Sequence, residues 1–152
     1  MPVLRFLALV VLLNVIRYVG GWAFEPFIIF PGLMGAMEEN AGYFNTAFTT
    51  FDWVTSYSYN FAMWLVCVWV FHLLRPAIRG SDIVASLKVF GIMWLFFAAV
   101  SAIYMNHYSH PKDFYVWNVL DGLLVYALVA IANGLLYRRL MGQFASTEDI
   151  RG

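Results

Sequence analysis

The sequence predicts an all-α integral membrane protein that folds as a four-transmembrane-helix bundle. Its residues are 62% hydrophobic and only 12% charged, whereas soluble domains contain about 45–50% apolar and about 25% charged residues. The chain of 152 residues holds four long apolar segments, and a helix needs roughly 20 residues to cross a bilayer. We therefore expect a single transmembrane domain and no separate soluble one.

The first predicted span covers residues 2–19 and begins like a secretory signal peptide. Arg5 precedes an apolar run, but that run continues through Asn14 and Arg17 without a small-x-small cleavage site. We therefore expect this segment to be retained as the first helix.

The segment that follows, residues 22–32, is aromatic and contains Pro26 and Pro31. Proline removes a backbone donor and disfavours a continuous helix. This pattern predicts an interfacial or re-entrant aromatic segment between the first two spans. A polar connection then reaches residue 45, and residues 46–59 are expected to form an interfacial helix that leads into the second span.

The remaining spans are predicted at residues 60–74, 83–105 and 114–137, followed by a polar tail at 140–152. Small residues recur four apart in the last two spans, and such pairs favour close helix packing in lipid. That packing is expected within the bundle or between copies. The expected partners are thus the lipid bilayer and a homo-oligomer or larger membrane complex.

Charge placement predicts the orientation. Arg75 and Arg79 follow the second span, and Arg138 and Arg139 close the fourth, whereas the connection between the first two spans holds acids but no Lys or Arg. The positive-inside rule therefore predicts an N-in, C-in topology in the cell or inner membrane. Nine basic and nine acidic residues cancel, which gives a nucleic-acid partner no electrostatic support.

Two ionisable residues lie inside the predicted spans at similar depth, in the outer half of the bilayer. Arg17 comes late in the first span and Asp121 early in the fourth. Charges at this depth pair with each other or mark a site, so we expect an Arg17–Asp121 ion pair. Five polar residues at similar depth are expected to complete the polar layer: Asn14, Asn60, Ser101, Tyr104 and Asn118.

This layer has two interpretations that the sequence leaves open. In the first, the pair is dry and fixes the register of the helices, and losing either partner strands the other charge. In the second, the layer is a wet cavity, open to the outer face, that binds a ligand head group or relays protons. The two differ only in whether water enters.

The last loop offers a weak metal-binding pattern, in which His107 and His110 are followed by Asp113. Two imidazoles and a carboxylate suit a metal with open positions, although a loop does not fix their spacing. No cofactor is indicated, and the single cysteine excludes an intrachain disulfide.

Function is therefore predicted in two classes. The favoured class is a non-enzymatic membrane protein: an accessory or scaffolding subunit, or a binder of lipid or another apolar ligand, with its polar layer around Arg17 and Asp121. The alternative is a membrane enzyme or cofactor protein acting at the outer face through Asp121, Arg17, His107 and His110.

Overall fold

In the computed structural model, which describes residues 3–45, 47–107 and 111–142, the chain is helical along almost its whole length. Four long helices dominate it: α1 (Val3–Gly21), α3 (Thr50–Leu74), α4 (Asp82–His107) and α5 (Lys112–Met141). Each is long and apolar enough to cross a membrane. A shorter helix, α2 (Phe30–Glu39), lies between α1 and α3 and packs against α5.

The long helices form a closed ring in which α1 and α4 each pack against both α3 and α5. Buried residues recur at helical spacing on the inward faces, as at Leu9 and Leu13 of α1. Trp64 of α3 is fully buried at the centre, with its ring 5.0 Å from that of Tyr126 and 6.2 Å from that of Phe90. The core is therefore a dry aromatic and aliphatic contact among the helices.

Helices α4 and α5 approach most closely at Gly134. A Cβ atom there would lie 2.4 Å from the Cα atom of Ile83, so only glycine permits this contact. Ala130, one turn earlier, is also fully buried. The small residues of the last span thus pack inside the bundle.

The second long helix starts earlier than predicted. Residues 46–59 do not form a separate interfacial helix, because α3 is continuous from Thr50 to Leu74. Its start is set by a capping box in which Thr49 and Asp52 each bond the other's backbone amide. The helix therefore begins ten residues before the predicted span at 60–74.

The aromatic segment after α1 is more helical than its prolines suggest. A single π-helical turn, Glu25–Ile29, leads directly into α2. Pro26 and Pro31 both stand in the first turn of their helical element, where a missing N–H costs nothing. The prolines thus do not interrupt the helical run from residue 25 to residue 39, and the break in the helix falls before it, at the turn of residues 22–24. That the segment is interfacial or re-entrant stays a prediction.

Candidate functional site

The most informative polar cluster lies where α1 ends and α5 begins, and we call it the acidic end cluster: Arg17, Glu25 and Asp121. Arg17 occupies the last turns of α1. The chain then turns back through backbone hydrogen bonds such as Phe24 N to Gly21 O at 3.0 Å, which brings Glu25 beneath the end of the helix. Asp121 reaches the cluster from α5. Both predicted charged residues therefore belong to it, together with one acid that the sequence did not point to.

Arg17 forms its ion pair with Glu25, not with Asp121 as the sequence predicted. The Arg17 Nη2 and Glu25 Oε1 atoms are 3.1 Å apart, and the two side chains are only 17% and 7% exposed. The guanidinium also lies over the ring of Tyr18, 4.8 Å from its centroid. The predicted Arg17–Asp121 pair is corrected because the turn after α1 puts a nearer carboxylate in place.

Gly21 makes room for this pair. A Cβ atom at that position would lie 2.7 Å from Glu25 Oε1 and 2.8 Å from the carboxyl carbon, closer than such atoms approach in real structures. Gly21 is the last residue of α1. The absence of a side chain there leaves the space that the Glu25 carboxylate occupies.

Asp121 completes the cluster without a bond of its own to Arg17. The charges of Glu25 and Arg17 both act on its carboxylate, the first repelling it and the second attracting it. With all three residues ionised, the cluster holds two negative charges and one positive charge. One carboxylate is therefore left without a full countercharge.

Several buried atoms of this cluster accept or donate no hydrogen bond within the part of the chain that the structure describes. They are Arg17 Nε, Glu25 Oε1 and Asp121 Oδ1. The Arg17–Glu25 contact satisfies the distance of an ion pair but not the geometry of a hydrogen bond. A buried ionised group without such bonds is costly and calls for an explanation, such as bound water or a ligand.

Close packing at Gly32 holds helix α2 against α5 beside this cluster. A Cβ atom on Gly32 would lie 1.9 Å from Cε2 of Trp117, so the indole lies directly on the α2 backbone. Phe44 packs its ring 4.7 Å from that of Phe114. The aromatic segment thus covers the start of α5, one turn before Asp121.

Two other residues of the predicted polar layer form hydrogen bonds within their own helices. The amide of Asn14 donates to Val10 O within its own helix at 2.9 Å, and Asn60 accepts a hydrogen bond from Trp64 Nε1 at 2.8 Å. The remaining three differ in exposure: Ser101 is buried, Asn118 is half-buried and Tyr104 is 48% exposed. Their role as a ligand-binding layer remains a prediction.

The predicted metal ligands are placed only in part. His107 is exposed, with Nδ1 3.0 Å from the carbonyl oxygen of Ile103, and Asp113 is exposed at the start of α5. His110 lies outside the described residues. Among the residues that are described, no three His, Cys, Asp or Glu side chains converge on a metal position.

A second charged cluster, which the sequence did not predict, joins the opposite ends of the helices; we call it the basic end cluster: Arg75, Asp82 and Arg138. Asp82 Oδ1 accepts from Arg75 Nε at 2.5 Å, and Oδ2 forms an ion pair with Arg138 Nε. The other guanidinium nitrogens of Arg75 donate to backbone carbonyls. The sequence did carry a signal for this cluster. Asp82 is an acid near the end of a predicted span, and arginines stand at the ends of two other spans.

Neutral polar pairs support the same region of the bundle. His72 Nδ1 and the Tyr137 hydroxyl are 2.5 Å apart, and the buried amide of Asn133 donates to Ser86 Oγ at 3.0 Å. His72 thus bonds a side chain of α5.

These features define a helical bundle with four candidate membrane-spanning helices and an ion-paired cluster at each end. No protein-family model, no curated protein and no solved structure matches this chain. The assignment of function therefore rests on the geometry alone.

Proposed function

We propose that the chain is an integral membrane protein whose four long helices cross the bilayer. Large apolar side chains are exposed on all of them, including Leu4, Val11, Leu73, Phe96 and Ile131. Soluble monomers rarely expose so much contiguous apolar surface. Lipid is the solvent that such a surface suits.

The spacing of the two charged clusters supports the same proposal. Asp121 and Arg138 stand 17 residues apart on α5, which corresponds to about 26 Å at 1.5 Å per residue. The hydrocarbon core of a bilayer is about 30 Å thick. The clusters thus lie near its two boundaries, and the positive-inside rule puts the basic end cluster in the cytoplasm.

We infer that the protein acts by binding, and that the acidic end cluster receives the polar head group of a small amphipathic ligand. The observation that carries this inference is the set of buried, unbonded atoms: Arg17 Nε is a free donor and Asp121 Oδ1 a free acceptor. A head group with one acceptor and one donor satisfies both. Its apolar body would then lie in lipid or against the exposed aromatic side chains of this end.

The charge of the acidic end cluster restricts which head groups would suit the site. Because Glu25 already neutralises Arg17, the charge left uncompensated is the carboxylate of Asp121. A head group that donates a hydrogen bond, such as a hydroxyl, an amide or an amine, is therefore favoured over an anionic one. The protein in this proposal is a non-enzymatic binding or accessory subunit.

The test is native mass spectrometry of the protein extracted gently from its own membrane, with metal analysis of the same sample. We expect a small-molecule adduct on the parent that Asp121→Asn loses. Asp113→Asn is the matched control, because this exposed acid stands eight residues earlier on the same helix. That variant should keep the adduct.

Other results would contradict the proposal in distinct ways. An adduct that survives Asp121→Asn would move the site elsewhere. Stoichiometric metal lost on His107→Ala or His110→Ala would favour the enzymatic alternative at the outer face. A partner chain without any small molecule would make this a scaffolding subunit, with the acidic end cluster purely structural.

A further inference from the structure

The end of the bundle that holds the basic end cluster carries more positive charge than its acid neutralises. Asp82 is already engaged by Arg75 and Arg138. Four other cations are exposed toward this end of the bundle and take part in no ion pair within the described ranges; we call them the basic collar: Arg5, Arg79, Lys88 and Arg139. Exposed cations gathered at one end of a membrane-spanning bundle suit an anionic partner.

The members of the collar come from three of the four long helices and from the loop between α3 and α4. Arg5 belongs to α1, whose far end contacts α3 through the Tyr18 and Tyr57 rings, so that the start of α1 lies toward the basic end. Lys88 is on α4 and Arg139 on α5. A flat array of anions at one level, such as the head groups of a leaflet, matches this arrangement.

An apolar strip continues from the collar along the outer face of α4. Lys88, Gly91 and Leu95 are three and four residues apart and therefore share one side of the helix. A Cβ atom on Gly91 would meet no atom within 4 Å, and Leu95 is 58% exposed. No other part of the described chain covers this strip at Gly91. The positive charge of Lys88 lies at one end of the strip, and the missing side chain of Gly91 leaves a shallow depression beside it.

We propose that Lys88 and Arg79 of the basic collar, together with this strip, bind an anionic phospholipid of the inner leaflet. Lys88 and Arg79 contact the phosphate, and an acyl chain lies over Gly91. Lysine suits this position because its ammonium reaches the interface while its methylenes cover apolar surface. Charge complementarity selects the occupant, since a leaflet rich in acidic lipid attracts each nearby Lys or Arg by about 1 kcal/mol.

The experiment compares phosphatidylglycerol with phosphatidylcholine as probes. The purified protein is mixed in detergent with equal amounts of the two lipids, and native mass spectrometry measures the ratio of bound species. We expect a clear preference for phosphatidylglycerol. It should fall about fivefold in Lys88→Gln and again in the Arg79→Gln, Lys88→Gln double variant.

Two variants control for net charge and for the chemistry of the site. Lys112→Gln removes an exposed cation at the opposite end of the bundle and should keep the preference. Lys88→Arg keeps the charge and should keep the preference as well. Equal binding of both lipids by the parent, or an equal loss in Lys112→Gln, overturns the proposal. So does displacement of the lipid by inorganic phosphate, which would indicate a small-anion site.

Discussion

The two charged clusters of this bundle consist of arginines and carboxylates, but they differ in how many of their polar atoms form hydrogen bonds. In the basic end cluster one carboxylate serves two guanidinium groups, and every nitrogen of Arg75 has a hydrogen-bond acceptor. In the acidic end cluster the one guanidinium pairs with Glu25, and the second carboxylate, that of Asp121, has no ion pair with it. Atoms of all three residues there are buried without a hydrogen bond in the described part of the chain.

This difference separates a structural role from a binding role. A buried ion pair contributes most reliably when its remaining donors and acceptors are satisfied, and an incompletely bonded one costs free energy. The basic end cluster meets that condition and ties α3, α4 and α5 together. The acidic end cluster does not, and sites that give up stability in this way are often those that receive a ligand.

The largest expected effect is the loss of Asp82. Asp82→Asn leaves the half-buried Arg75 and the exposed Arg138 without a countercharge, which should cost about 3 kcal/mol of unfolding free energy, most of it from Arg75. Unfolding in detergent, followed by circular dichroism against added denaturing detergent, measures it. Asp113→Asn, an exposed acid on α5, is the control and should differ from the parent by less than about 0.5 kcal/mol.

The next effect tests which acid pairs with Arg17. Arg17→Gln strands the buried Glu25 carboxylate and should cost about 2–3 kcal/mol. The Arg17→Gln, Glu25→Gln double variant should recover part of this loss, because no unpaired charge remains at that position. If Asp121→Asn rescues Arg17→Gln as well as Glu25→Gln does, the pairing seen in the structure is wrong.

A smaller effect is expected from filling the space beside Glu25. Gly21→Ala places a methyl group 2.7 Å from Glu25 Oε1 and should cost about 1–2 kcal/mol by displacing the carboxylate. Gly35→Ala is the matched control, because a Cβ atom there meets nothing within 4 Å and α2 should gain slightly in helix propensity. Equal stability of the two variants would contradict the close packing of Glu25.

The smallest effect has the opposite sign. Asp121→Asn removes the carboxylate that lacks a full countercharge, and we expect it to raise the unfolding free energy by up to about 1 kcal/mol while abolishing ligand binding. The same denaturation assay, run beside the adduct measurement, checks both halves. A loss of stability like that of Asp82→Asn would show that the two clusters have the same role.

Much of the fold could be predicted from the lengths of the apolar segments in the sequence. The segments predicted at 83–105 and 114–137 appear as α4 and α5, which are longer by one to four residues at each end. Polar residues such as Asp82 and Lys112 extend these helices beyond their apolar stretches, so hydrophobicity alone underestimates their length. Helix α3 was underestimated most, since its first turns are set by a capping box and not by apolar residues.

The site was only half predictable. Arg17 and Asp121 stood out because ionisable residues are rare in apolar segments. Glu25 did not, because it lies in a segment whose prolines suggested an irregular connection. Its position depends on the tight turn after Gly21 and on one π-helical turn, which no residue pattern specifies.

The sequence by itself determined that the chain would be helical and how many long helices it would have. The length of an apolar segment is visible in the sequence and does not depend on contacts with the rest of the chain. The sequence also determined that charge would segregate between the two ends of the bundle. Only the tertiary structure decided the partners: that Arg17 meets Glu25, and that Asp82 meets both Arg75 and Arg138. Ion pairing depends on distances of a few ångströms between separate elements, and those distances are fixed by turns and by glycine contacts between helices.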